Sequence, residues 1–358
     1  MTDRDTGTHD EAETARLLDV QNLRTTFDTE AGTLVAVDGI DFSVEAGETV
    51  CIVGESGSGK TVATESITRL VDSPPGRIEG TVRFRGRDLL SADDEEIRSI
   101  RGHEIAHVFQ NPQDALNHCY SVGWQIVEAI QVHEDVSEQA AKRRAIDLLD
   151  RVGIANASTR FDDYPHEFSG GQKQRVMIAM ALVGNPDLLI ADEPTTALDV
   201  TVQAQILDLF EELQAELDMG ILFVTHDLGV VAEIADRIVV MYAGKVMERG
   251  SVLDIFERPA HPYTQALLGC LPGRGNEVRG IPGSLPDPTD PPDGCRFAPR
   301  CDHAIEACRR GKQPAEIEVE SGHCVSCVFY AEGRDSSVVG DHEMGTETVD
   351  TEAEPIDD

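Results

Sequence analysis

The feature that most constrains this chain is a glycine-rich octapeptide between a predicted strand and a predicted helix. Residues 54–61 read GESGSGKT and match the pattern G-x-x-x-x-G-K-[ST]. The apolar run Thr49–Val53 before them predicts a buried strand, and residues 59–71 predict a helix. Glycines let backbone N–H groups turn toward a bound phosphate, and the positive end of the helix attracts the same anion. We therefore expect the whole octapeptide to bind phosphates: Gly54, Glu55, Ser56, Gly57, Ser58, Gly59, Lys60 and Thr61.

A second segment supplies the acids that phosphate chemistry needs. Residues 188–193 read LLIADE, an apolar strand ending in two acids, as in a Walker B segment at the carboxyl edge of a parallel sheet. Lys60 is expected to reach the β- and γ-phosphates, while the Thr61 hydroxyl and Asp192 bind Mg²⁺. Glu193 is one residue further on and is expected to act as general base toward the attacking water. Taken alone, an apolar run ending in acids is also typical of an ordinary strand.

Short apolar runs and helical segments alternate along most of the chain. Such alternation is typical of an α/β fold with a parallel sheet covered by helices. Apolar residues at three- and four-residue spacing between positions 124 and 152 predict a helical subdomain. We expect strands at residues 17–26, 34–37, 40–44, 188–191, 221–225 and 238–242, and helices at residues 200–217 and 229–235.

Four further motifs occur in a fixed order around these two. They are VFQNP with Gln110, FSGGQ at residues 168–172, ALD at residues 197–199 and VTHDL with His226. With them the chain resembles the ATP-binding subunits of ABC transporters over about residues 17–250. The resemblance implies a P-loop NTPase core with a parallel sheet, an antiparallel β subdomain and a helical signature subdomain at about residues 112–170. We expect the whole ATP-binding domain to span residues 16–250.

In this family two such domains close head to tail over two ATP molecules. The second subunit is expected to be a paralogue, so that the pair is a heterodimer. Gln110 and His226 are implied to act beside Glu193 in catalysis, with Gln110 also near Mg²⁺. Phe27, in the segment RTTF, matches the aromatic residue that stacks on adenine. The residues implied to contact the ATP held by the partner are Ser169, Gly170, Gly171, Gln172 and Asp199.

Beyond residue 250 the composition changes. Residues 271–292 are rich in Pro and Gly and predict a linker with little regular structure. HPYT at residues 261–264 and the pattern G-C-x-F-x-x-R-C at residues 294–301 resemble the C-terminal extension of dipeptide, oligopeptide and nickel importer ATPases. We expect this extension to span residues 251–330.

The resemblance implies an ATPase that energises import of dipeptides or oligopeptides. It is expected to bind two transmembrane permease subunits at the cytoplasmic face of the cell membrane, as a peripheral protein, and to serve an extracytoplasmic solute-binding protein indirectly. The same ATPase role for nickel or a sugar is an alternative. A soluble ABC ATPase acting on DNA or ribosomes is another. Against it stands the 138-residue distance from Gly54 to Asp192, which leaves no room for a long coiled-coil insertion.

Five of the eight cysteines lie between residues 295 and 327. Four thiolates can hold a [4Fe–4S] cluster or a tetrahedral Zn²⁺, and the family resemblance favours the cluster. The ligands implied are Cys295, Cys301, Cys308 and Cys327, with Cys324 as the alternative to Cys327. Zinc or unligated thiols remain the other interpretations.

Charge limits the partners of this chain. Its 66 acidic and 30 basic residues give a net charge of −36, so nucleic acid is not an expected partner. Residues 1–15 and 331–358 predict disordered acidic tails carrying −4 and −9, which leaves −23 on the body. Of the basic residues 25 are Arg and five are Lys, a usage that resembles proteins of salt-loaded, halophilic cytoplasms.

Overall fold

The computed structural model describes residues 16–111, 115–196, 198–271 and 280–340. An antiparallel β subdomain forms first, in the strand order β2-β1-β4-β5. The sequence suggested two short strands at 34–37 and 40–44, but β2 is continuous, because Gly39 has a φ of 70° and lets the pairing with β1 run on. The strands are β1 Arg16–Thr29, β2 Gly32–Glu45, β4 Gly76–Phe84 and β5 Arg87–Asp88.

The main sheet has eight strands in the order β11-β12-β10-β9-β3-β8-β7-β6. The five strands from β9 to β6 are parallel, and β10, β12 and β11 follow in antiparallel pairing. The strands are β3 Thr49–Val53, β6 Ile105–Val108, β7 Leu188–Asp192, β8 Gly220–Thr225, β9 Arg237–Tyr242, β10 Lys245–Ser251, β11 Ile317–Glu320 and β12 His323–Val325.

Buried side chains cover both faces of this sheet. Along β3, Cys51 and Val53 join one apolar cluster, while Val50 and Ile52 join the other, as the alternation of a strand requires. All five residues of β3 are buried. The parallel sheet with covered faces confirms the α/β fold class.

The helices pack on these faces and in the helical subdomain. The predicted helical region 124–152 is two helices separated at residues 134–137, with Ser137 accepting a hydrogen bond from Ala140 N as N-cap of the second. The helices are α1 Lys60–Ile67, α2 Asp94–Ile100, α3 Val122–His133, α4 Glu138–Arg151, α5 Ala157–Arg160, α6 Gly170–Ala181, α7 Val200–Leu217, α8 Leu228–Ile234, α9 Val252–Glu257, α10 Pro262–Leu268 and α11 Ser337–Gly340.

The C-terminal residues are joined to the main sheet rather than held apart from it. β12 of the extension pairs with β10. The expected boundary at residue 250 falls inside β10, which ends at Ser251. The fully buried Glu248 accepts hydrogen bonds from the backbone N–H groups of Ala260 and His261 at 2.7 and 2.8 Å. Nε2 of His323 lies 2.8 Å from the same carboxylate. Within the described ranges, no helix is long and apolar enough to cross a bilayer.

Candidate functional site

Four strand ends meet at one edge of the main sheet. The octapeptide follows β3, Gln110 lies just after β6, and His226 follows β8. Asp192 is the last residue of β7, and Glu193 comes directly after it. Since parallel strands all end on the same edge, these segments of distant sequence lie side by side. Elements predicted separately therefore form one site.

The octapeptide wraps around the start of α1. Gly54 has a φ of 155° and Gly59 a φ of 98°. A Cβ on Gly54 would lie 2.1 Å from the carbonyl oxygen of Met241, and one on Gly59 would lie 2.3 Å from that of Ala36. Only glycine fits such close backbone approaches, which explains why the pattern needs it at both positions.

Lys60 folds back over the loop that precedes it. Its Nζ donates hydrogen bonds to the carbonyl oxygens of Gly54 and Glu55 at 2.8 and 3.0 Å. Burial lowers the pKa of Lys60, opposed by the negative charges of Glu193, Asp192 and Glu55. The ammonium group is thus held at the mouth of the loop, next to acids rather than in bulk water.

Asp192 and Thr61 bring together a carboxylate and a hydroxyl, oxygen groups of the kind that bind Mg²⁺. Burial raises the pKa of Asp192, while the Thr61 hydroxyl bonds to the carboxylate and lowers it. Among the described residues, buried Oδ1 of Asp192 and Oγ of Ser58 have no hydrogen-bond partner. A carboxylate oxygen left unpaired beside a hydroxyl fits Mg²⁺, which prefers hard oxygen ligands.

Glu193 is held by three side chains. Nε2 of Gln110 and Oγ1 of Thr196 each donate to Oε2 of Glu193 at 2.9 Å, and Nδ1 of His226 lies 3.1 Å from Oε1. Burial raises the pKa of Glu193, but the bonds from Thr196 and His226 and the charge of Lys60 outweigh it and lower the pKa. The carboxylate is therefore ionised and oriented, as a general base must be. Thr196 was not singled out from the sequence.

The signature segment occupies a different place. Ser169 is the N-cap of α6, and it forms a capping box with Gln172. Ser169, Gly170 and Asp199 are exposed, and Asp199 caps α7. None of the predicted partner-contacting residues lines the cavity around the phosphate loop. Ala197 lies outside the described residues.

A cavity of about 740 Å³ opens beside the phosphate loop. Phe27 is not among its lining residues; it pairs across the hairpin with Leu34, which does line it. The sequence did not predict that Leu285, Pro286 and Pro288 line this cavity, because a proline-rich segment carries no signal that it folds back onto the loop. The lining residues are Leu34, Val35, Ala36, Ser56, Gly57, Gly59, Lys60, Thr61, Val62, Gln110, Glu193, Ala243, Gly244, Leu285, Pro286, Asp287, Pro288 and Arg296.

A second, small cavity of about 10 Å³ lies in the C-terminal extension. Its lining includes Cys295, Cys301, Cys308 and Cys327 but not Cys324. Burial is the main cause that raises the pKa of Cys295 to about 11 and that of Cys327 to about 12. Within the described part of the chain, no three His, Cys, Asp or Glu side chains converge as the ligands of a single ion do. The four thiols therefore share one small, enclosed cavity, whereas Cys324 lies outside it.

Comparison with known proteins identifies the family that has this arrangement of motifs. Residues 37–196 match the family model of ABC transporters, and residues 247–308 match that of the oligopeptide/dipeptide transporter C-terminal region. A protein of Brucella melitensis biotype 1, provisionally named a peptide import ATP-binding protein, is 50% identical over 331 residues, covering 88% of this chain and 98% of that protein. The chain belongs to the ATP-binding subunits of the ABC transporters. A similarly named protein of Brucella abortus strain 2308 is 50% identical to this subunit over 298 residues, 82% of this chain and 90% of the relative.

Solved structures agree with this family. The dimeric structure of a bacterial ABC transporter cassette has a TM-score of 0.59 and 28% identity, covering 66% of this ABC ATPase and 98% of the cassette. A cassette of Clostridium perfringens that is part of an ABC transporter complex has a TM-score of 0.57 and 30% identity, covering 68% of this chain and 91% of that one. The expected ABC ATPase fold is confirmed.

Proposed function

We propose that this ABC ATPase hydrolyses ATP to energise import of dipeptides and oligopeptides. The observation that carries the proposal is that one chain combines a cavity lined by Lys60, Thr61 and Glu193 with an extension matching the oligopeptide/dipeptide transporter region at 247–308. The provisional names of its Brucella relatives support the same substrate class.

In the proposed reaction each site residue has one task. Lys60 and the N–H groups of the loop bind the β- and γ-phosphates. Thr61 and Asp192, with Gln110 nearby, would hold Mg²⁺, whose charge neutralises that developing on the phosphates. Glu193 would accept a proton from the water that attacks the γ-phosphate, while His226 holds the carboxylate in place.

The signature segment and Asp199 are proposed to contact ATP held by a second, paralogous ATPase subunit, because they lie away from this chain's own cavity. The residues are Ser169, Gly170, Gly171, Gln172 and Asp199, of which Ser169, Gly170 and Asp199 are exposed. The dimeric cassette to which the chain is similar supports such pairing. Two permease subunits would bind the helical subdomain at the cytoplasmic face of the membrane, with an extracytoplasmic solute-binding protein delivering the peptide.

The cysteine cavity is proposed to hold a [4Fe–4S] cluster. The four thiols that line it are the same four chosen from the sequence: Cys295, Cys301, Cys308 and Cys327. Cysteine binds iron as the deprotonated thiolate. The iron ions of a cluster would supply the positive charge that stabilises thiolates at these buried positions. Zinc remains the alternative occupant.

Peptide uptake tests the proposed function. Cells lacking this chain should take up a labelled dipeptide more slowly, and the wild-type gene should restore the rate while Lys60→Ala should not. Uptake of labelled nickel and of a sugar is measured in parallel. Normal peptide uptake combined with a loss of nickel or sugar uptake would show that the substrate class is wrong while the ATPase role stands.

A further inference from the structure

The extension returns to the phosphate loop after leaving the main sheet. Of the residues that line the 740 Å³ cavity, five belong to the extension: Leu285, Pro286, Asp287, Pro288 and Arg296. They lie more than 220 positions from the loop in sequence, yet Leu285 is in van der Waals range of the position a Cβ on Gly57 would occupy, at 3.5 Å. The extension therefore shares the nucleotide cavity with the core.

We refer to residues 281–288 of the extension as the segment. Arg300 links the start of this segment to the phosphate loop. The Arg300 side chain, only 5% exposed, donates to the carbonyl oxygens of Ile281 and Pro282 at 2.9 and 2.7 Å. Its Nη1 also lies 2.9 Å from Oε1 of Glu55 in the loop. A planar guanidinium with several donors can hold both partners in one fixed geometry.

The other end is tied to the β subdomain. The N–H of Val35 in β2 donates to the carbonyl oxygen of Pro288 at 3.0 Å. Asp287 accepts hydrogen bonds from the N–H and the hydroxyl of Thr289, at 2.8 and 2.6 Å, which closes a local turn. Pro286 and Pro288 fix φ and lack N–H groups, so the segment is stiff before any ligand binds.

Between its two anchors the segment presents apolar surface to the cavity. Leu285 and Pro286 are half-buried, and Leu34, Val35 and Ala36 lie on the cavity wall supplied by β2. Lys60 and Thr61 mark where the phosphates sit, which leaves the base and ribose for the remaining volume. Flat bases bind well against apolar walls of this kind.

We propose that residues 285–288 form a wall of the nucleotide pocket and cover the base and ribose of the bound nucleotide. The extension, which matches the oligopeptide/dipeptide transporter C-terminal region, then also takes part in nucleotide binding. This inference rests on the proposed nucleotide site. In it, Leu285 contacts the base and ribose of the nucleotide and not its phosphates.

The test compares two ligands that share phosphates but not a base. MgADP and magnesium pyrophosphate are titrated calorimetrically into the full chain and into Leu285→Ala. We expect Leu285→Ala to bind MgADP roughly tenfold more weakly, from the lost apolar contact, and to bind magnesium pyrophosphate as the wild type does. Leu285→Met should restore most of the affinity for MgADP. Leu253→Ala, which truncates an exposed leucine of α9, is the matched control and should change neither.

Other results would overturn the inference. Equal weakening of both ligands would mean that Leu285 only supports the loop, and unchanged or tighter MgADP binding would mean that the segment makes no favourable contact with the base. Lys60→Ala should weaken both ligands. If the wild type bound neither, the proposed nucleotide site itself would be wrong.

Discussion

Nδ1 of His226 lies 3.1 Å from Oε1 of Glu193, across two neighbouring strand ends of the parallel sheet. Gln110 and Thr196 bind the other carboxylate oxygen, Oε2, each at 2.9 Å. The carboxylate therefore has few orientations open to it. A carboxylate held in this way would need little rearrangement to accept a proton from water.

Glu193→Gln should abolish turnover while leaving ATP binding intact. The amide keeps the shape of the side chain but cannot accept the proton of water, so we expect the rate of phosphate release to fall by about 10²–10⁴-fold. Calorimetric ATP binding and ATP-dependent dimerisation should persist. Glu211→Gln, at an exposed position of α7, is the matched control. Normal hydrolysis by Glu193→Gln would remove Glu193 from the role of base.

Thr196→Val should move the acid limb of the pH–rate profile to higher pH. The Thr196 hydroxyl bonds to the charged form of Glu193 and helps to lower its pKa. Without this donor the pKa rises, and since the base works only when ionised, activity is lost at a higher pH as acid is added. A shift of about one pH unit is expected. An acid limb that stays in place would show that Glu193 does not set it.

Glu248→Ala should destabilise the docking of the extension on the sheet. The substitution leaves the N–H groups of Ala260 and His261 and the ring of His323 buried without their acceptor. We expect a loss of roughly 3 kcal/mol in the free energy of unfolding, measured by denaturant titration. Glu306→Ala removes an exposed partner of Arg310 and should have no measurable effect. Equal stability of the two variants would contradict the structural role of Glu248.

Cys327→Ser and Cys324→Ser form a matched pair for the cysteine cavity. Cys327 lines the cavity, whereas Cys324 lies in β12 opposite Arg249. After anaerobic purification, the wild type and Cys324→Ser should contain iron and sulfide, and Cys327→Ser should have lost most of both. Zinc without iron in the wild type would favour the alternative metal. A colourless, metal-free wild type would contradict both metal proposals.

ATPase activity should rise with KCl into the molar range. The body of the chain carries −23 and repels a polyanionic nucleotide, and concentrated salt screens that repulsion. Phosphate release is measured at increasing KCl, with sucrose as a control that raises osmolarity without screening charge. Highest activity in dilute buffer would show that the acidity is not an adaptation to salt.

Much of the site is predictable because each motif is local. The phosphate loop, LLIADE and VTHDL each lie at the carboxyl end of a strand. Because parallel strands end on the same edge of the sheet, Lys60, Asp192 and His226 were expected to lie close together. Thr196 was not predicted as a site residue, because a threonine after a strand has no distinctive spacing. Its role depends on where Glu193 points, which a linear pattern does not specify.

The contacts between the extension and the core were not predictable. Arg300 and Glu55 are separated by 245 positions, and nothing in either neighbourhood indicates the other. The segment 271–292 was predicted to be a linker from its prolines and glycines. Its part from residue 280 has little regular structure, as expected, yet it is fixed by the hydrogen bonds of Arg300 and Val35. Likewise, the spacing of the cysteines left Cys324 and Cys327 as alternative ligands. In the structure Cys324 lies in β12, whereas Cys327 lines the cysteine cavity.

The pairing of β12 with β10 also limits how this ATPase can be shortened. A chain ended at residue 251 would leave the outer side of β10 with open N–H and C=O groups, and such a strand is a template for pairing with other molecules. The truncated protein would be expected to aggregate whatever its nucleotide site does. We therefore expect the extension to keep the cassette from pairing with other molecules along β10.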